Sequence, residues 1–212
     1  MAIFRICFIG DSITLGTVDE DLLGWPGRLV RHVWAEGHDV TCYNLGVRAD
    51  TTELIGRRWR AESAARLPDH VDGRLVFAFG VNDTAIDQSG QIRVTHDQSV
   101  KNARATIGEA KAWKRVLWIG PAPVRKQGQR VTPAAGVTYD FQNARIEALD
   151  RAYLDAAKDL GVPYLPVYPA LIDHEPWHTA IAAGDGVHAA GVGYAILAGL
   201  VMKWDAWKAW LA

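Results

Sequence analysis

The stretch that decides the fold is IFRICFIGDSIT, residues 3–14. Its first seven residues are mostly apolar, β-branched or aromatic, a composition that predicts a buried strand. The strand stops at Gly10, so Ser12 follows directly at its carboxyl end. Open α/β sheets bind their ligands at this edge, and Ser12 is therefore a candidate functional residue.

Three further blocks place glycine or polar residues at equivalent positions. Gly46 follows the strand-like run VTCYNL, and Asn82 follows the apolar run LVFAF within a Gly-Val-Asn-Asp block. Asp185 and His188 lie together in Asp-Gly-Val-His, shortly before the last predicted helix. Because the carboxyl ends of parallel strands meet at one edge of a sheet, we expect these residues to converge on Ser12.

The four blocks together resemble the SGNH hydrolases, also called the GDSL esterase/lipase family. That family has a serine in Gly-Asp-Ser, a glycine, an asparagine in Gly-x-Asn-Asp, and a histidine preceded three residues earlier by aspartate. The resemblance follows the family's order and spans nearly the whole chain. Two positions depart from the family pattern: Ile13 replaces the usual leucine, and Ala189 replaces the proline of many members. Neither change removes a reacting group.

The resemblance implies a catalytic triad of Ser12, His188 and Asp185. A serine hydroxyl is a weak nucleophile until a base accepts its proton. Histidine can accept a proton near neutral pH and return it to a leaving group. An aspartate three residues earlier can hold the second ring nitrogen and fix the tautomer.

The resemblance also implies an oxyanion hole, formed by the backbone N–H groups of Ser12 and Gly46 and the side-chain amide of Asn82. These residue types suit the role, since glycine permits close approach of backbone to substrate and an amide donates hydrogen bonds. We expect Asp11 and Asp83 to brace the adjacent loops through backbone N–H groups. No cofactor and no metal are expected.

Strand and helix signals alternate along the chain. Five strands with helical connections predict an α/β fold with a parallel sheet covered on both faces. Right-handed crossovers favour a flavodoxin-like three-layer sandwich with strand order 2-1-3-4-5. The segment 122–138 is predicted to be a long loop, followed by a helix over residues 139–160 and a last helix over residues 190–210.

Length and charge restrict the classes of partner. The chain of 212 residues is ample for one domain and short for two, so we expect a single domain over residues 1–212. A formal net charge of −1 provides no basic surface for nucleic acid. No apolar run is long enough to span a bilayer. Cleavage after the short N-terminal apolar stretch would remove Ser12 or its strand, so we expect no signal peptide.

The two cysteines, Cys7 and Cys42, each fall inside a predicted strand. Buried free thiols in a reducing cytosol are the favoured interpretation, with a disulfide between neighbouring strands as the alternative. The expected location is therefore cytoplasmic.

The segment His174-Glu175-Pro176-Trp177-His178 matches the H-E-x-x-H signature of zinc hydrolases. That motif requires a helix, where the two histidines share one face, and Pro176 is hard to fit into one. We therefore expect this segment to border the acyl pocket or to lead the chain toward Asp185.

Nine tryptophans are many for this length. Trp34 and Trp118 are predicted to be in the core. Trp204, Trp207 and Trp210 recur at roughly helical spacing and favour a packed final helix, with a homo-oligomer contact as the alternative.

The sequence therefore favours a serine esterase that cleaves carboxylic esters, with short acyl chains preferred. A thioesterase, a carbohydrate O-acetylesterase and a lysophospholipase would use the same residues and stay open. Outside this class, a non-catalytic module could bind an anion at the helix that starts near Ser12.

Overall fold

The computed structural model describes residues 2–212 as alternating strands and helices. The strands are β1 (Ile3–Gly10), β2 (Asp39–Gly46), β3 (Gly73–Ala78), β4 (Ile86–Asp87), β5 (Arg115–Ile119), β6 (Gln129–Ala134), β7 (Val137–Phe141) and β8 (Tyr164–Leu165). The helices are α1 (Ser12–Leu15), α2 (Gly24–Ala35), α3 (Thr52–Ala64), α4 (His96–Trp113), α5 (Asn143–Leu160), α6 (Tyr168–Leu171), α7 (Glu175–Ala183), α8 (Gly191–Lys203) and α9 (Asp205–Lys208). A 3-10 turn spans Val81–Thr84.

Five parallel strands form the main sheet in the order β2-β1-β3-β5-β8. Counted within this sheet, the order is 2-1-3-4-5, which confirms the predicted flavodoxin-like arrangement. β1 lies between β2 and β3, with Gly10 paired to Gly46 on one side and to Ala78 on the other. The ends of these three strands therefore meet just before Ser12.

Helices cover both faces of the sheet. Ile6 and Phe8 of β1 pack with residues of α2 and α8, whereas Cys7 and Ile9 pack with residues of α3, α4 and α5. All four side chains are fully buried. Successive residues of a strand point to opposite faces, so the nearly continuous apolar run of β1 reflects burial on both sides.

A second, three-stranded sheet of order β4-β7-β6 stands beside the carboxyl edge of the main sheet. The predicted loop over 122–138 and helix start at 139 are therefore wrong. β6 and β7 pair as an antiparallel hairpin, and α5 begins only at Asn143. The hairpin has mostly exposed or half-buried residues, so its sequence lacks the apolar alternation that marks a core strand.

The last predicted helix also differs from the structure. The last helix is divided at Trp204 into α8 and α9. α3 begins at Thr52 with Thr51 as its N-cap. The preceding residue, Asp50, has its carboxylate paired with Arg58 at 2.6 Å.

Two of the tryptophan predictions have different outcomes. Trp118 is fully buried, as predicted, but Trp34 is 56% exposed. The buried face of α2 is formed by Trp25, Leu29 and Val33, and Trp34 falls outside that stripe. Its indole N–H instead donates to Val40 O at 2.8 Å.

The tryptophans near the C-terminus belong to the core. Trp207 and Trp210 are buried, and Trp204 is partly buried against the same cluster. They are therefore not a separate exposed contact surface, and a homo-oligomer stays a prediction. Cys7 and Cys42 are both free. No helix within residues 2–212 has the length and apolarity needed to cross a membrane.

Candidate active site

Ser12 is the first residue of α1, directly after the turn that ends β1. Asp11 caps this helix, because its Oδ1 accepts a hydrogen bond from Ile13 N at 2.9 Å. Thr14 Oγ1 donates to Ala78 O of the neighbouring strand at 3.2 Å. A side chain at Gly10 would collide with these same Thr14 and Ala78 atoms. The short turn therefore fixes Ser12 at the carboxyl edge of the central strand.

The structure brings Ser12, His188 and Asp185 together from opposite ends of the chain. His188 Nε2 lies 2.7 Å from Ser12 Oγ, and His188 Nδ1 lies 2.7 Å from Asp185 Oδ2. Ser12 and His188 are both buried. These are the contacts that a nucleophile, a base and an orienting acid require.

The carboxylate of Asp185 is held by its own loop. Its Oδ1 accepts hydrogen bonds from Val187 N at 2.9 Å and His188 N at 2.7 Å. Burial alone would raise the pKa of Asp185. The hydrogen bonds and charge of the His188 ring, together with these two N–H groups, outweigh burial and lower the pKa to about 2. Asp185 is therefore ionised at neutral pH and places a negative charge against the His188 ring.

Asn82 lies in the 3-10 turn after β3 and is buried beside Ser12's helix. Its Nδ2 donates to Asp11 Oδ2 at 3.3 Å, and its Oδ1 accepts from Arg93 Nη1 at 3.2 Å. An amide nitrogen has two N–H groups, so one remains for a substrate oxygen.

Asp83 braces the turn that carries Asn82. Its carboxylate accepts from Thr52 N at 3.0 Å, from Thr52 Oγ1 at 2.5 Å and from Ser99 Oγ at 2.6 Å. These bonds join the 3-10 turn to α3 and α4. Burial is the main influence on the pKa of Asp83 and raises it despite the hydrogen bonds.

Gly46, which was predicted to be an oxyanion donor, is not among the residues that line the cavity. Its N–H donates to Asn44 Oδ1 at 3.0 Å. A Cβ at this position would collide with the backbone of Leu15 and Asp11. Glycine is therefore needed here so that α1 can pack against the end of β2.

Ala49, three residues further on, was missed by sequence reasoning and lies in the cavity wall. Its φ of 64° is in the left-handed region, which side chains disfavour. Within residues 2–212, its N–H has no hydrogen-bond acceptor. A backbone N–H donor is not marked by any particular side chain in the sequence. A glycine at position 49 would have suggested a left-handed conformation, but an alanine does not.

The cavity above Ser12 has a volume of about 210 Å³. Ser12, Ala49, Asn82 and His188 border it on the side of the main sheet. The opposite wall comes from the second sheet and is largely apolar, with side chains from Val131, Pro133, Tyr139 and Phe141. Arg48 contributes an exposed positive charge.

The H-E-x-x-H segment forms the start of α7, which contradicts the expectation that Pro176 would prevent a helix. Proline fits because it occupies the first turn, where its missing N–H has no intrahelical partner. His174 Nδ1 accepts from Trp177 N at 3.2 Å, and His178 Nε2 lies 2.6 Å from Ile172 O. Across the described residues, no three His, Cys, Asp or Glu side chains cluster as metal ligands would.

Solved structures share this fold over nearly the whole chain. A lipase/acylhydrolase from Enterococcus faecalis is 26% identical, with a TM-score of 0.74, 95% of this chain covered and 94% of that one. An acetylxylan esterase from Geobacillus stearothermophilus, solved as a catalytic mutant, is 18% identical, with a TM-score of 0.74 and coverages of 96% and 94%. LAE5, an enzyme from the metagenome of Lake Arreo, is 19% identical, with a TM-score of 0.73 and coverages of 100% and 98%.

The chain matches no curated protein sequence. The profile of the GDSL-like lipase/acylhydrolase family, however, matches residues 8–196, which include Ser12, Asn82, Asp185 and His188. The chain therefore belongs to the GDSL-like lipase/acylhydrolase family.

Proposed function

We propose that this ester hydrolase cleaves carboxylic esters through an acyl-serine intermediate, with Ser12 as nucleophile, His188 as base and Asp185 as orienting acid. The observation that carries the proposal is the pair of 2.7 Å contacts that link Ser12 Oγ, the His188 ring and Asp185. Membership in an acylhydrolase family supports the reaction class.

The reaction follows from these contacts. Ser12 Oγ bonds to the ester carbonyl carbon while His188 Nε2 takes the hydroxyl proton, and Asp185 stabilises the imidazolium that forms. The tetrahedral intermediate then expels the alcohol, which receives the proton from His188. A water molecule, deprotonated by His188, attacks the acyl carbon, and Ser12 regains its proton as the acid leaves.

The developing oxyanion needs hydrogen-bond donors in place before the reaction. The proposed donors are Ser12 N–H, Ala49 N–H and the free N–H of Asn82. Ser12 N–H lies in the first turn of α1, where helical N–H groups lack intrahelical partners. Ala49 takes the place that the sequence prediction gave to Gly46.

The proposed substrate has a short acyl chain. The cavity of about 210 Å³ is small compared with pockets that bury drug-sized ligands, which span about 300–1,000 Å³. Its apolar wall suits acetyl to butyryl groups. A panel of oxygen esters, acetylated sugars, acyl-CoA and lysophospholipids distinguishes the simple esterase from the thioesterase, O-acetylesterase and lysophospholipase alternatives.

The non-catalytic anion-binding alternative has less support. α1 has only four residues, and the Asp11 carboxylate caps its N-terminus. A helix this short with an acidic cap offers little positive potential to an anion. Turnover of a p-nitrophenyl ester would exclude this alternative directly.

The test combines turnover with active-site labelling. The wild-type chain is expected to hydrolyse p-nitrophenyl acetate, to keep its rate in a metal chelator, and to gain one phosphonyl group on the peptide carrying Ser12. Ser12→Ala should lose both properties, whereas Ser89→Ala, at an exposed serine in a turn, should lose neither. Labelling elsewhere, or full activity in Ser12→Ala, would contradict the mechanism.

A further inference from the structure

We infer that Arg93 is a positioning residue that holds two oxyanion donors, Asn82 and Ala49, in their working geometry. Its guanidinium bridges the two residues, since Nη1 donates to Asn82 Oδ1 at 3.2 Å and Nη2 donates to Ala49 O at 2.7 Å. The inference rests on the proposed function, because it concerns how that reaction's donors are aligned.

Arg93 is itself anchored to the turn that carries Asn82. Arg93 N donates to Ala85 O at 2.9 Å, and Val94 N donates to Asp83 O at 3.3 Å. The guanidinium lies over the Tyr139 ring at 4.6 Å from its centroid. The half-buried side chain thus contacts the 3-10 turn, the Ala49 turn and the hairpin that walls the cavity.

The contact with Asn82 determines which way the amide points. A guanidinium only donates hydrogen bonds, so it can bind only the amide oxygen. The Asp11 carboxylate on the other side accepts one N–H of the amide nitrogen. With both ends of the amide held, the second N–H is fixed in direction. The positive charge of the guanidinium, beside Asn82 Oδ1, also polarises the amide and strengthens that N–H as a donor.

The contact with Ala49 stabilises an unfavourable backbone conformation. A non-glycine residue is unfavourable in the left-handed region and persists there where its surroundings restrain it. The bond from Arg93 to the Ala49 carbonyl is such a restraint. Without it, Ala49 is expected to relax toward negative φ and turn its N–H away from the cavity.

Lysine cannot reproduce this arrangement. Its ammonium is a single point charge and cannot span two acceptors with the fixed fork of a guanidinium. The Arg93→Lys variant therefore separates loss of the bridge from loss of charge. Arg145 offers a matched control, because it donates to Thr84 O at 2.7 Å and pairs with Asp140 of β7 but touches neither donor residue.

The experiment compares steady-state kinetics and thermal melts of Arg93→Lys, Arg93→Ala and Arg145→Gln. Misplacing catalytic groups by about 1 Å can cost roughly 100-fold, so both Arg93 variants should lose about 10- to 100-fold in kcat with KM within about twofold. Arg145→Gln should keep kcat. Guanidinium ion should restore part of the activity of Arg93→Ala, saturably, and should not raise the rate of Arg145→Gln.

A double-mutant cycle supplies the decisive readout. In an Asn82→Ala background, Arg93→Lys should cost clearly less in kcat than it does in the wild type, because one of its two targets is gone. Full additivity, unchanged kcat in Arg93→Lys, or a lowered melting temperature without guanidinium rescue would overturn the inference. These results can be distinguished from a failure of the proposed function itself. In that case the wild-type chain would show no turnover that depends on Ser12.

Discussion

At the scale of the residue, one backbone N–H distinguishes the oxyanion hole predicted from the sequence from the one proposed from the structure. Gly46 N–H is already bonded to Asn44 Oδ1, whereas Ala49 N–H, in the cavity wall, has no hydrogen-bond acceptor among residues 2–212. Replacing Ala49 by lactic acid changes its amide to an ester, which removes this N–H and keeps the methyl side chain. We expect kcat to fall by about 10²–10³, the usual cost of one oxyanion donor.

The matching control replaces Gly46 by glycolic acid. This change removes a hydrogen bond to Asn44 and should reduce stability by about 1 kcal/mol while leaving kcat nearly unchanged. Kinetics and melts of the two semisynthetic proteins decide between the residues. A large loss of kcat at position 46 and none at position 49 would restore Gly46 to the oxyanion hole.

The same residues show what could be predicted from sequence. Ser12 and Asn82 have reactive or polar side chains just after strand ends, and Asp185 and His188 share the loop between α7 and α8. The structure brings Ser12, Asn82 and His188 to one cavity, with Asp185 bonded to the His188 ring. Ala49 contributes a backbone group, which depends on φ and not on side-chain type. The proposed role of Arg93 depends on side-chain contacts with Asn82 and Ala49 that form only in the folded chain.

At the scale of the element, the β6–β7 hairpin determines the size of the cavity. Val131 of β6 lines the cavity, and its neighbour Thr132 is exposed. Val131→Ala should enlarge the cavity and shift the preferred ester toward longer acyl chains, whereas Val131→Trp should restrict turnover to acetate. Thr132→Ala is the control on the same strand and should leave the chain-length profile unchanged.

The measurement is kcat/KM for p-nitrophenyl esters from acetate to decanoate. If all three variants keep the wild-type profile, the hairpin does not contact the acyl chain and instead borders the alcohol group. A wild-type preference for decanoate would contradict the proposed short-chain substrate.

The hairpin also shows where sequence prediction of elements failed. The central strands β1, β3 and β5 are apolar because they are buried on both faces, and the order of the five-stranded sheet was predicted correctly. The hairpin is held by backbone pairing, with Asp140 opposite both Ile86 and Arg130. Because such a strand is little buried, its sequence lacks the apolar pattern of a core strand. Residues 139–141 were therefore assigned to the following helix.

At the scale of the whole molecule, buried carboxyl groups oppose the stability of the fold at neutral pH. Burial raises the pKa of Asp11 and of Asp150 to about 6. Both ordinarily titrate near 3.8. Asp11 lies beside the proposed oxyanion donor Asn82, whereas Asp150 accepts a hydrogen bond from Tyr164 OH at 2.5 Å. Burial thus raises the pKa of both acids, but only Asp11 contacts a residue of the proposed active site.

The raised pKa values give a definite pH dependence. Between about pH 4 and 6 the folded chain binds more protons at these sites than the unfolded chain, so their contribution to stability falls as pH rises. A rise in pKa from 3.8 to about 6 corresponds to roughly 3 kcal/mol. Asp11→Asn and Asp150→Asn should therefore gain stability relative to wild type on going from pH 4 to pH 8, by up to about that amount.

The variants Asp11→Asn and Asp150→Asn are expected to differ in catalytic activity. Asp11→Asn would place an amide nitrogen or a neutral oxygen against Asn82 Nδ2, in place of the carboxylate that now accepts its N–H. Asp11→Asn should therefore lower kcat, and Asp150→Asn should not. Urea unfolding at pH 4 and pH 8 beside kinetics at pH 8 tests both points. If the difference in stability between variant and wild type stays constant with pH, these carboxyl groups do not titrate as their burial implies. If Asp11→Asn and Asp150→Asn have equal kcat values, Asp11 does not help to hold the oxyanion donor Asn82.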